Sequence, residues 1–197
     1  IYRSCFMRSF VSILVFCLSS VAFATLPVGK IPPSLTLQGD TGGKVKEGKP
    51  WSSSELKDRV HVMFYVAPSE SELNQEAADE LKKESFVGDL FGSVAVIDMS
   101  ASWIPNWIIA SKLESKQKEF PRTTYVKDLQ GTLVKKWNLK DNSSDIVVFD
   151  PEGRVVYSHD GKLSKEEVKK MIQVVKEQVT SLKNSKSKMS LSALSTR

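Results

Sequence analysis

Val60–Glu72, VHVMFYVAPSESE, is the stretch that decides the fold. Seven mostly apolar residues end at Ala67-Pro68, and polar residues then lead into a helical pattern. This predicts a buried strand delivering a loop to the start of a helix. In α/β folds such a junction is the usual place for ligands and chemistry, because a helix opens with unpaired N–H donors. The loop carries Ser69-Glu70-Ser71-Glu72, with no cysteine, histidine or glycine-rich cradle.

Outward from this stretch the chain alternates strands and helices. Ser34–Gln38 reads as a short strand, followed by a turn at GDTGGK. Trp51–Leu56 reads as a short helix or turn capped by serine ahead of Glu55. Leu73, Ala77 and Leu81 recur every four residues, which predicts a helix over 70–83. The apolar run Ser93–Met99 predicts a strand buried on both faces. A helix starts around Trp103–Trp107, with Pro105 in its first turn, and ends before Pro121.

Thr123–Asp128 reads as a strand and Leu133–Leu139 as a strand or short helix. Asp145–Asp150 and Arg154–His159 read as a hairpin around Pro151-Glu152-Gly153. Ser164 and Glu167 form an S-x-x-E capping box, opening an amphipathic helix with Val168, Met171, Ile172, Val175, Val179 and Leu182 on one face. Early βαβ units imply parallel strands, and the late hairpin implies an antiparallel edge. The expected architecture is a mixed central sheet with helices on both faces, on the thioredoxin-like α/β plan.

The chain has 197 residues and two cysteines. Residues 1–24 read as a secretory signal peptide. Met7-Arg8 is a better start than Ile1, Phe10–Phe16 is the apolar core, and Ala22-Phe23-Ala24 is an A-x-A site with cleavage after Ala24. The expected location is the periplasm, with no membrane span after removal of the signal. Residues 25–50 read as an N-terminal extension, 51–182 as the domain, and 183–197 as a disordered Lys/Ser tail.

Cys5 and Cys17 both lie in the signal, so the mature chain carries no disulfide, thiolate nucleophile or cysteine-ligated metal. The sequence pI of about 9.1 is misleading. Arg3, Arg8, Lys183, Lys186, Lys188 and Arg197 lie in the signal or tail. Removing these six from 28 basic residues leaves 22 against 23 acidic ones. A near-neutral domain is not expected to bind nucleic acid.

The second half carries a resemblance. Its residues are SKLESKQKEFP (111–121), Val126-Lys127-Asp128 with Gly131, Trp137-Asn138-Leu139, Asn142-Ser143-Ser144, VVFDPEGRV (147–155) and DGKLSKEEV (160–168). Over about Pro50–Leu182 the chain resembles the YtfJ family of exported bacterial proteins. The resemblance implies a thioredoxin-like fold in the periplasm and no established function, although members have sometimes been labelled transcriptional regulators. The chain is more broadly similar to thioredoxin-like thiol reductases. On their pattern, Ser69 and Glu72 stand where the two cysteines would be, and Ser144 where the cis-proline would be.

The candidate site is therefore Ser69, Glu70, Glu72 and Ser144; Trp103 and Trp107, flanking Pro105, are expected in or just beneath the core, with a recognition patch as the alternative. The leading expectation is a non-catalytic binding or accessory module for an exported protein or small ligand, needing no cofactor and no metal. The competing reading is a hydrolase using Ser69 or a nearby carboxylate, which requires His61 or His159 within reach of Ser69. Ser69 with Glu72 also fits a plain capping box. Zinc held by His61, His159 and a carboxylate falls short on ligand count. Asp98, Asp128, Asp141, Asp145 and Asp150 fit Asx turns at strand ends.

Overall fold

The computed structural model describes residues 25–195, and side chains through Ser192. The segment read as a signal peptide lies outside the described residues. The main sheet has six strands in the order β2-β6-β5-β4-β7-β8. These are β2 (Gly42–Lys44), β4 (Val60–Val66), β5 (Phe91–Asp98), β6 (Thr123–Asp128), β7 (Ser144–Phe149) and β8 (Val155–Asp160). β4, β5 and β6 run parallel, β7 is antiparallel to β4, β8 is antiparallel to β7, and β2 is antiparallel to β6. The mixed sheet expected from the sequence is present. A separate pair, β1 (Thr36–Leu37) and β3 (Trp51–Ser52), lies beside it.

Alternation along β4 sends its side chains to two cores. Val60 and Val62 meet α1 (Gln75–Lys83) through Ala77 and Leu81, and α4 (Lys165–Ser195) through Val168, Met171, Ile172 and Val175. Met63 and Tyr65 meet Leu37, Trp51 and Leu56, together with Leu133 and Trp137 of α3 (Thr132–Trp137). The remaining α-helix, α2 (Asn106–Glu119), packs Ile109 and Leu113 near Met99, Ile97 and Tyr125. No helix among the described residues is long and apolar enough to cross a membrane.

Three sequence expectations change. Residues 25–50 do not stand apart as an extension. Leu26 and Leu37 are in the core, and the Val155 N–H donates to the Lys30 carbonyl at 2.8 Å. Gly42 and Gly43 form strand β2 rather than a free turn. A Cβ at Gly42 would lie 1.9 Å from the Lys127 carbonyl oxygen, so glycine lets the edge strand approach β6. The tail is helical through Ser195, continuing α4, rather than disordered. No glycine or proline follows Gly161 to stop the helix. Tail serines turn their hydroxyls back onto the helix, as Ser185 does to the Ser181 carbonyl at 3.0 Å.

Candidate functional site

The loop after β4 begins at the carboxyl end of the parallel strands. Pro68–Glu70 forms a 3₁₀ turn, and α1 starts only at Gln75. Ser69, Ser71 and Glu72 are exposed and Glu70 partly so. The expected capping box is absent, since the Ser69 side chain makes no cap hydrogen bond and the residue before α1 is Asn74. In contrast, the boxes read at Ser52 and Ser164 form. The Ser52 N–H donates to Glu55 Oε1 at 3.1 Å, and the Ser164 N–H to Glu167 Oε2 at 2.7 Å.

Ser144 opens β7 directly beside this loop. It pairs with Val66, and the Ala67 N–H donates to the Ser143 carbonyl at 2.9 Å. The fold thus brings Ser144 next to the Ser69–Glu72 loop, but Ser144 is 1% exposed and faces inward. Its peptide bond is trans, as are all others described.

The residue that ties the region together is Asn74, which the sequence analysis did not single out. Its Nδ2 donates to Ser144 Oγ at 3.0 Å and to the Gly161 carbonyl at 2.9 Å. Its Oδ1 accepts from the Leu163 N–H at 2.9 Å. The side chain is spent on these distant partners and therefore caps nothing. A signal exists in retrospect. Asn74, Ala77 and Leu81 share one helical face, so a polar residue occupies a core-facing position.

Beneath the loop, several acids lie at the strand ends. Asp98 and Asp128 are opposite each other on β5 and β6, and Tyr65 Oη donates to Asp128 Oδ2 at 3.3 Å. Burial and the two carboxylates push the Tyr65 phenol up. Asp98, Asp128 and Asp150 make the expected Asx turns, accepting from the N–H groups of Ser100, Gln130 and Glu152. Asp145 departs from this pattern. It is buried in register with Tyr65 and Asp160, and neither carboxyl oxygen has a well-formed hydrogen bond. Burial, then the Asp160 charge, push its pKa up to about 8, with nearby Lys140 offsetting only part.

Neither histidine reaches Ser69. His61 lies five residues before the end of β4, which at ~3.3 Å per residue is roughly 17 Å. Its Nε2 accepts from Arg59 Nε at 3.1 Å, and its Nδ1–H donates to the Arg59 carbonyl. Burial, then the Arg59 charge, bring its pKa down to about 4, so the ring is neutral. His159 Nδ1 lies 3.4 Å from Glu167 Oε1. The two histidines are on strands separated by β7, and among the described residues no group of three or more His, Cys, Asp or Glu side chains is placed to hold a metal ion.

The tryptophans differ sharply from a core pair. Trp103 is 93% exposed and Trp107 73% exposed. They follow β5, the parallel neighbour of β4, so they emerge at the same end of the sheet as Ser69–Glu72.

Residues 39–178 match the model of a family described as "Bacterial protein of unknown function (YtfJ_HI0045)". The chain belongs to that family. It is 29% identical over 131 residues to the uncharacterized protein YtfJ of Escherichia coli K12, covering 64% of this chain and 71% of the relative. An uncharacterized Haemophilus influenzae protein is 27% identical over 136 residues, covering 68% and 74%. Among solved structures, a putative thiol:disulfide interchange protein DsbE from Chlorobium tepidum superposes with a TM-score of 0.57 at 16% identity, covering 78% of this chain and 99% of that one. A putative protein disulfide isomerase from Bacteroides thetaiotaomicron gives 0.55 at 16% identity, covering 79% and 91%.

These likenesses establish the thioredoxin-like fold of this YtfJ-family chain and nothing of its chemistry. Neither cysteine of the sequence falls within residues 25–195. The loop that follows the central strand here presents hydroxyl and carboxylate groups instead.

Proposed function

We propose that this YtfJ-family protein is an exported, non-catalytic recognition module without thiol chemistry. It engages another exported protein through the edge formed by Ser69–Glu72 and Trp103–Trp107. The observation that carries this reading is the exposure of both indoles at the same end of the sheet as an acidic, cysteine-free loop. Large exposed aromatics are uncommon on surfaces that face only water, and tryptophan is over-represented among residues that dominate binding energy. Glu70 and Glu72 favour a partner that offers an apolar pocket with cationic groups near it.

Export rests on the signal read in residues 1–24, with cleavage after Ala24 and a periplasmic location. Ser144 supports the loop from inside through Asn74 and is not itself a contact. The hydrolase reading is the weaker one, because Ser69 has neither histidine within reach. A regulator of transcription is weaker still, given the near-neutral domain.

The test is affinity capture of envelope proteins with the full chain, a Trp103→Ala/Trp107→Ala variant and a Ser69→Ala/Glu72→Ala variant. A partner retained by the full chain and lost with the tryptophan variant supports the reading. Equal recovery of every partner by all three refutes it.

A further inference from the structure

The opposite end of the parallel strands holds a second feature. A cleft of about 590 Å³ opens where β4, β5 and β6 begin. That volume is in the range of small-molecule sites. Arg59 and Arg122 directly precede β4 and β6, Lys57 lies on the approach to β4, and Lys186 reaches in from the far part of α4. Among the described residues none of these four cations forms an ion pair within 4 Å.

Three of them converge on one loop. Arg122 Nη2 donates to the Phe86 carbonyl at 2.7 Å, Arg59 Nη1 to Gly88 at 2.9 Å and Lys186 Nζ to Asp89 at 3.0 Å. Carbonyls fix these groups in place without neutralising them. A guanidinium has five N–H donors, and Arg122 and Arg59 spend one and two of theirs.

Three acids share the cleft: Glu55, Asp58 and Asp89. Glu55 is taken by Lys44 at 2.7 Å. Four cations against the remaining two carboxylates leave a surplus of two positive charges. The buried indole N–H of Trp51, which lines the same cleft, has no hydrogen-bond partner. An unpaired buried donor is costly and marks a place where an acceptor is missing.

We propose that this cleft binds the phosphate group of a small soluble phosphate compound, held by Arg59 and Arg122 with Lys57 and Lys186 around it and Trp51 as a further donor. Paired guanidinium groups match phosphate geometry, and two surplus charges match a dianion. Lys186 makes the outer part of α4 a wall of the site.

The test titrates the isotope-labelled full chain with inorganic phosphate and follows the Trp51 indole N–H by NMR, the resonance being assigned with Trp51→Phe. A saturable shift is expected. The Arg122→Gln/Lys57→Gln variant should bind at least about tenfold more weakly, as expected for losing charge-assisted contacts. Both side chains are exposed, and thermal melting checks that the variant is folded. A Lys165→Gln/Lys169→Gln variant, altered at the start of α4, should bind as the parent does. No shift up to ~10 mM, an affinity too weak to be specific, would overturn the proposal. So would equal affinity in the first variant, or a Trp51 shift with phosphatidylglycerol vesicles but not with inorganic phosphate.

Discussion

The Asn74 side-chain amide donates to Ser144 Oγ at 3.0 Å across 70 residues of sequence. Through that bond and its contacts to Gly161 and Leu163, Asn74 fastens the loop after β4 to β7 and to the turn before α4. Asn74→Ala would leave a buried hydroxyl, a carbonyl and an N–H without their partner. It is expected to cost about 3 kcal/mol, from roughly 1 kcal/mol per buried bond and the penalty for orphaned groups. Ser144→Ala removes one bond and should cost about 1 kcal/mol, and almost nothing when added to Asn74→Ala. Urea midpoints of the two single variants and the double variant measure this.

Ser69→Ala should change stability by less than about 0.5 kcal/mol, the usual range for an exposed residue without a special role. Ser164→Ala should cost about 1 kcal/mol, because Ser164 Oγ accepts from the Glu167 N–H at 3.2 Å in a formed capping box. Thermal melting of both variants tests the difference between a serine that caps and one that only faces solvent.

Asp145 and His61 set opposing pH dependences. The Asp145 carboxyl titrates at about 8 in the folded chain against an ordinary 3.8. Between those values the unfolded chain holds fewer protons, so stability falls as pH rises, by at most about 1.4 kcal/mol per unit. His61 titrates at about 4 against an ordinary 6.5. Between those values the unfolded chain holds more protons, so stability falls as pH drops. The two largely cancel from pH 4 to 6.5, and Asp145 acts alone above that. Chemical denaturation should show stability declining from pH 6.5 to 8 in the parent and flat in Asp145→Asn.

Gly92 and His61 fit only as a pair. A Cβ at Gly92 would lie 2.6 Å from His61 Cδ2 and Nε2. Gly92→Ala should destabilise by about 2 kcal/mol, typical of overpacking a filled core. Adding His61→Ala should recover part of that loss, whereas independent sites would sum. Denaturation midpoints of the four-member cycle give the answer.

Most of the fold is legible because it is written locally. The alternation of β4, the apolar run of β5 and the serine boxes at Ser52 and Ser164 each lie within a few neighbouring residues. What sequence reading misses is written at long range. Asn74 falls inconspicuously inside the helix expected over 70–83, yet its amide is diverted to partners 70 to 89 positions away. Gly42 and Gly43 read as a turn because glycine's use in close strand approach depends on β6, remote in sequence. Ser69 with Glu72 has the spelling of a capping box, but α1 begins beyond it at Gln75. The Ser/Lys tail has a solvated composition and still extends α4, because nothing in it breaks a helix.

The central claim is that the edge carrying Ser69–Glu72 and Trp103–Trp107 is a protein-recognition surface. The direct measurement is photo-crosslinking in living cells, with a photoreactive phenylalanine analogue placed in turn at positions 71, 103 and 107, and at exposed position 169 on α4 as a control. The account predicts one shared adduct of defined mass from 71, 103 and 107 and none from 169. The same adducts from 169 as from the edge, or no adduct from the edge at all, would contradict it.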